Sequence, residues 1–542
     1  MFKHHNIIKG IETEQQFLLP VNVMEWLPEN DVVYMVLSIL DLLDLSSFLS
    51  KHRADGVGSA FYNPRCMMGI LLYAMIRGEQ SSRRIESSCV YDIGYRLVAQ
   101  GLTPDYTTIF RFKQKNSDEI KGLFKQFARL LVKSHATRIG ILAIDGTKIA
   151  ANASLSANRK AKHIEAELTR LFEESMNCDK QETLDGTTPV VTDYILPDEL
   201  ATKERRKEVL QKSMEKLNER QEIEAEKQKA LIRDREKEEE ETGKKKRGRK
   251  PAEPKTVPSP DAKVNPTDPT SQVMSTAHGF IQGFNGQIVV TEDQFIIAAA
   301  LTDDQNDKNQ LQPMMDEVNE LLESVQTDER PEAVLADSGY CSMQNVLSET
   351  PDGPKLYLAT SKERKFQEVG TDEAFRIRLD EICRPAPGMC DPTIPELASI
   401  GTAVWNFYLY RDRPATQQEV CWGIMDARVR SPSGRELYRK RKIMPEPVFG
   451  NIKFNMRLRR FSLKGKDKCE GEFCLAAMCH NIIKIKNNNL LKKLRSFVKL
   501  ESISSNTGSI FCQFCNSWND WRAFFNRFFT LNFWRSCQIL SI

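Results

Sequence analysis

The sequence predicts an α+β/α protein: a mixed sheet flanked by helices, preceded by a helical segment and interrupted by a long charged helical insertion. Three observations predict it. Two short apolar runs, starting at Ile141 and Ala333, have the length of strands. Each ends in an aspartate with a glycine close behind, at Asp145-Gly146 and Asp337-Ser338-Gly339. Ahead of the first run, to about residue 138, apolar residues recur at helical spacing between Gly and Pro turns. Between the two runs, Lys203 to Glu241 is mostly Glu, Lys, Arg, Gln and Ala with sparse Leu and Ile, the composition of a solvated helix or weak coiled coil.

Taken in order, Asp31 to Leu43 repeats apolar residues at helical spacing, with Pro28 just before it. Pro64 opens a second helix, and a third begins near Ser82, where Ser82 to Glu86 resembles a loose cap. Thr103-Pro104-Asp105 forms a turn, and a basic helix carrying Arg111 follows. Short helices with a basic last member fit a helix-turn-helix reader of DNA. An ordinary bundle with a basic exposed face fits the same pattern. After the charged insertion, Arg247-Gly248-Arg249-Lys250-Pro251 resembles an AT-hook, whose Arg-Gly-Arg core lies in a narrow A·T minor groove. A basic linker opposing the Glu run has the same composition. Pro251 to Pro269 is Pro-rich and polar and reads as disordered.

Order resumes with Gly283 to Val290 and Gln294 to Leu301, two strands joined through Glu292-Asp293. Asn309 to Val325 is an amphipathic helix, Ala333 to Ala336 a strand, Ser342 to Ser348 a short helix and Lys355 to Ala359 a strand. One strand, two strands, helix, strand, helix, strand is the order of an RNase H-like domain with the charged helix inserted after its first strand. A glutamate-bearing helix should close such a domain. The expected division is 1–138 helical and DNA-binding, 139–167 the first part of the catalytic domain, 168–277 the insertion with its basic linker, 278–486 the remainder of the catalytic domain and 487–542 a divergent tail.

Composition narrows the function classes. A net charge of +3 over 542 residues does not by itself predict a nucleic-acid partner. The distribution does: Arg435 to Lys468 holds 12 Lys or Arg against Glu436, Glu446 and Asp467. The thirteen cysteines are scattered, and Cys512-Gln-Phe-Cys515 has no second pair with which to build a zinc site. No apolar h-region opens the chain and no run reaches membrane-span length, so the expectation is a reduced, cytoplasmic, nucleoid-associated protein.

A carboxylate at the carboxyl edge of a buried strand is costly unless something compensates it. In an open α/β sheet that edge is where ligands bind. Asp145 and Asp337, with Glu446 in the basic segment, point to metal-dependent chemistry on a nucleic acid. Hard carboxylate oxygens and the lack of clustered histidine favour Mg²⁺, with Mn²⁺ as a substitute, over zinc.

These residues resemble the DDE transposases of bacterial insertion sequences, more narrowly the insertion sequence eleven-eighty-two group, related to the IS-four type. The resemblance spans roughly residues 17 to 486. It is carried by Ser82-Arg-Arg-Ile-Glu86, Leu102 to Phe112, Ala143-Ile-Asp-Gly-Thr-Lys148, Gly283-Phe-Asn-Gly-Gln287, Leu335-Ala-Asp-Ser-Gly-Tyr340, Glu446 to Lys453 and Arg460 to Gly465 in that order. It implies Asp145, Asp337 and Glu446 as the catalytic, metal-binding triad. It implies cleavage at terminal inverted repeats and joining of 3′-hydroxyls to target DNA, with double-stranded DNA as partner and a homodimer on it.

The family's Tyr–Arg–Glu–Lys signature is spaced differently here. Tyr438 is followed after two residues by Arg441, but Lys442 has the usual offset to Glu446, so the signature cation is Arg441 or Lys442. Lys453, seven residues past Glu446, would share its helical face and contact a phosphate. Pro445 and Pro447 place Glu446 at a helix start, and Glu472 is the alternative third acid.

Two other readings compete. Asp145-Gly146-Thr147 is similar to haloacid-dehalogenase phosphatases, but Ala143 stands where that chemistry needs an aspartate. A decayed, catalytically inactive transposase acting only as a DNA-binding protein is the alternative from a different class. It is motivated by residues 487–542, which lack clear helical periodicity.

Overall fold

The computed structural model describes residues 27–50, 61–181, 203–243, 253–277, 279–360, 394 and 417–499. Six helices come first. α1 (Val32–Leu40) is capped by Asp31, whose carboxylate accepts the Val33 N–H at 2.9 Å. α2 (Pro64–Ile76) starts on proline and is almost wholly buried. α3 (Ser82–Tyr91) and α4 (Ile93–Val98) follow. α5 (Tyr106–Lys115) is capped by Asp105, which accepts from both Thr107 N and Thr108 N. α6 (Ser117–Lys133) buries Ile120, Phe124, Phe127 and Leu131 at intervals of three and four residues.

The sheet begins with β1 (Ile141–Ala150). The insertion leaves it through β2 (Arg159–Lys160), α7 (Ala161–Gln181) and α8 (Lys203–Thr242) and returns through β3 (Lys263–Val264), which pairs with β2. Then come β4 (Gln272–Thr276), β5 (Gly279–Thr291), β6 (Ile296–Thr302), α9 (Leu311–Val325), β7 (Ala333–Ala336), α10 (Met343–Leu347) and β8 (Lys355–Leu358). The chain closes with α11 (Gln417–Arg430), α12 (Pro432–Ile443), α13 (Pro445–Gly450) and α14 (Lys466–Asn487).

Six strands form the main sheet, in the order β4-β5-β1-β7-β8, with β6 also paired to β5. β1 is antiparallel to β5 but parallel to β7, and β7 is parallel to β8. A parallel pair needs a crossover, and α9 supplies part of it. Side-chain alternation splits the sheet between two cores. Leu142, Ile144, Val289 and Val334 pack with α9 and α11. Ile149, Phe284, Ile288 and Val290 pack with α14 and the N-terminal helices.

α14 is the central pillar. It buries most of its length, polar residues included. Asn481 accepts Ile296 N–H at 2.9 Å and donates to Ile296 C=O at 2.8 Å, completing the backbone pairing at the start of β6. Phe473 lies so close to β5 that a Cβ at Gly286 would come within 2.9 Å of its ring, so only glycine fits there.

The fold departs from the sequence reading in three places. Residues 1–138 were expected as a separate domain, yet the described N-terminal helices share one continuous core with α14 and β5. The helical pair of the insertion begins at Ala161 rather than 168, and β4, inside the expected 168–277 span, belongs to the main sheet. The Pro-rich segment expected to be disordered is packed from Lys263 onward. Val264 pairs in β3, Asn265 donates to Ser154 C=O at 2.7 Å, and Asp268 is buried and accepts Gly465 N–H at 3.1 Å. Buried polar partners, invisible in composition, outweigh the proline content.

Candidate active site

β1 and β7 run side by side, with Ile141 opposite Ala333 and Ala143 opposite Leu335. Two residues further along each, Asp145 and Asp337 therefore come next to each other at the carboxyl end of β7, with Asp145 midway along β1, which was expected to end there but runs on against β5 to Ala150. α12 lies across them. Leu437 and Met444 pack on Ala143 and Leu335, and Arg441, on the same helical face, stands between the two carboxylates. Its Nη2 is 3.3 Å from Asp145 Oδ1 and 3.7 Å from Asp337 Oδ2. Tyr438, one turn earlier, donates its hydroxyl to Ala336 C=O at 3.1 Å and so clamps α12 to the end of β7.

One guanidinium does not balance this site. Burial raises the Asp145 carboxyl to about 6. Arg441 opposes the rise, and the nearby Asp337 and Asp307 carboxylates add to it. Arg441 Nε is buried with no hydrogen-bond partner among the described residues. Burial also lifts the Tyr438 hydroxyl to about 12, which keeps it a neutral donor.

Asp307 was missed by the sequence reading. It follows β6 in the acidic run Asp303-Asp304-Gln-Asn-Asp307, and acids just beyond a buried strand were the available signal. Its Oδ1 accepts Asn285 Nδ2 and Gln287 Nε2, each at 2.7 Å. Tyr340, fully buried, donates its hydroxyl to Gln287 Oε1.

The other expected residues lie as follows. Glu446 stands exposed in the first turn of α13, as the flanking prolines required, and α13 abuts β1. It makes no hydrogen bond or ion pair among the described residues, and no three His, Cys, Asp or Glu side chains there are grouped to hold a metal ion. Lys442 is exposed, so of the two signature candidates it is Arg441 that the fold brings to the aspartates. Lys453 does not follow the expected α-helical spacing, because Asn451–Asn455 form a π-helical turn that widens the register. It reaches β1 instead, donating to Lys148 C=O at 3.1 Å, and burial holds its ammonium below the usual lysine range.

Arg111 is exposed on α5. Its neighbour Lys113 is not: it is buried against Glu472 at 3.1 Å. Glu472 also accepts Ser462 N–H, Ser462 Oγ–H and Leu463 N–H, so the alternative third acid is a structural anchor. Arg247 and Arg249 lie outside the described residues.

Two acids thus lie beneath a basic helix where the parallel strands β1 and β7 part. Residues 414–486 match the family model described as a transposase DDE domain, and residues 21–115 match the one described as a transposase domain (DUF772). These matches indicate a DNA transposase of an insertion sequence. The first covers α11 to α14, with Tyr438, Arg441, Glu446 and Lys453. The second covers α1 to α5. No curated protein and no solved structure matches the chain. No helix among the described residues is long and apolar enough to cross a membrane.

Proposed function

We propose that this transposase binds the terminal inverted repeats of its element, cleaves the ends and joins the 3′-hydroxyls to target DNA by metal-dependent in-line displacement. One observation carries the reading: Asp145 and Asp337 are paired by the β1–β7 register beneath a basic helix that also leads to Glu446. The strand order supports an RNase H-like fold, with β1 central, β5 and β6 antiparallel on one side and β7 and β8 parallel on the other.

Asp145, Asp337 and Glu446 would hold Mg²⁺, which Mn²⁺ can replace. All three are hard oxygen donors, and the excess of carboxylate over guanidinium at the strand ends fits a divalent cation. When bound there, Mg²⁺ would supply activation of an attacking hydroxyl and stabilisation of a leaving oxygen. The protein's own contribution is placement. Tyr438 fixes α12, Arg441 holds the two carboxylates together, and Lys453 sits near the β1 edge where a phosphate would pass. Exposed Lys442 and Arg111 add phosphate contacts, and Arg247 and Arg249 would follow the minor groove. Bringing two ends together calls for a homodimer on DNA.

The test is Mg²⁺-dependent cleavage of linear DNA bearing the repeats that flank the gene, comparing wild type with Asp337→Ala. Cleavage at the repeat boundary, lost in the variant while DNA binding persists, is the expected result. Specific binding without cleavage by the wild type would overturn the catalytic reading.

A further inference from the structure

We propose that Asp307 is a positioning residue for Asp145 and Asp337: a wedge that sets the separation of the middle of β1, which bears Asp145, from the turn that follows Asp337. The inference rests on the metal-dependent reading above. Asn285 and Gln287 are two residues apart on β5 and so project from the same face of the sheet. Both donate to the same Asp307 oxygen. Gln287 receives in turn the hydroxyl of Tyr340, which belongs to the turn after Asp337. Asn345 clasps that turn from behind, donating to Tyr340 C=O and to Lys308 C=O, each at 2.7 Å. Asp307 therefore lies where three segments meet: β5, the loop after β6 and the Asp337 turn.

The space around the carboxylate is shaped for it by two glycines. A Cβ at Gly146 would lie 2.7 Å from Asp307 Oδ1 and 2.4 Å from Gln287 Nε2. A Cβ at Gly339 would lie 2.9 Å from Asp337 Oδ1 and 3.3 Å from Asp307 Oδ2. Gly146 directly follows Asp145, and Gly339 closes the turn whose N–H bonds Asp337 at 2.8 Å. The β1 backbone beside Asp145 and the turn after Asp337 thus abut one carboxylate whose own place is fixed by two amide donors. A shift of that carboxylate moves the turn against the strand, and with them the aspartates. Groups that orient ligands in this way typically change metal affinity by about 10- to 100-fold when removed.

The experiment is titration of the full-length protein with Mn²⁺, with and without repeat-end DNA, read by calorimetry. D307A should bind Mn²⁺ about tenfold more weakly. D307N should recover most of that loss, because an amide oxygen still accepts from Asn285 and Gln287. G146A, which displaces the wedge while keeping its carboxylate, should match D307A. Wild-type Mn²⁺ affinity in D307A, with D145N and D337N impaired, would sink the positioning role and leave the metal reading intact. Equal loss in D307A and D307N would overturn it in favour of direct ligation. No Mn²⁺ binding by the wild type would overturn the metal-dependent reading, and this inference with it.

Discussion

Two acid–base contacts in this molecule have opposite designs. Lys113 and Glu472 join α5 to α14, with side chains 6% and 0% exposed. The two Glu472 oxygens are shared among Lys113, Ser462 and Leu463. Arg441 with Asp145 and Asp337 is looser, at 3.3 and 3.7 Å, with Asp337 36% exposed and Arg441 Nε unpartnered among the described residues. A complete buried network specifies a structure. An incomplete one at the edge of a sheet keeps charge available for something else. The same residue types thus serve as a weld in one place and as a site in the other, and what separates them is whether each polar atom has found a partner.

Substitutions should separate the two. The largest effect is expected at the incomplete site: Asp145→Ala, Asp337→Ala and Glu446→Ala should each reduce strand cleavage by at least about a thousandfold, with gel-shift affinity for repeat DNA kept. Retained cleavage in one of them removes that residue from the triad. At the weld, Lys113→Ala leaves Glu472 buried without its cation and should cost about 3–5 kcal/mol in urea unfolding. The Lys113→Met/Glu472→Met pair should recover most of it, and a double variant as unstable as the single one would refute the contrast.

A smaller effect of opposite sign is expected from Asp145→Asn. The folded carboxyl titrates near 6 against an ordinary 3.8, so its ionisation disfavours the folded state. Metal-free, the wild type pays a growing penalty as pH rises from about 4 to 6, and the full penalty above that. The variant should therefore be more stable by about 1–3 kcal/mol at pH 8 and lose the advantage below pH 4, as thermal melts would show. The smallest effect belongs to Tyr438→Phe, which deletes one hydrogen bond to Ala336 and should cost about 0.5–1.5 kcal/mol.

Local pattern made much of this legible in the chain. The strand ending next to Asp337, the hairpin of β5 and β6, and the helix start at Pro445 follow from periodicity and proline, which act over a few residues, whereas the strand expected to end at Asp145 runs on to Ala150 because β5 pairs with it that far. Non-local partners did not show. Arg441 and Lys442 are equivalent as letters, and only the face of α12 distinguishes them. Lys453 was assigned by an α-helical period that a π turn breaks. Asp307 lay in an acidic stretch that reads as solvated until Asn285 and Gln287 are brought to it across the sheet. The burial of Lys113 in the basic helix of Arg111 does not show in the sequence either, because its partner Glu472 is 359 residues away.

That sequence distance has a further consequence for how the protein is made. α1 and α2 bury their apolar faces on α14, and Cys479 Sγ of α14 donates to Leu72 C=O of α2. At about 5–20 residues per second, a ribosome that has just finished α5 needs on the order of 20 to 70 seconds more to reach Glu472. Throughout that interval the apolar surface that α14 covers in the folded protein lacks its partner. A polypeptide released early lacks both the pillar of its core and the segment bearing Glu446, so premature termination should yield chaperone or protease clients.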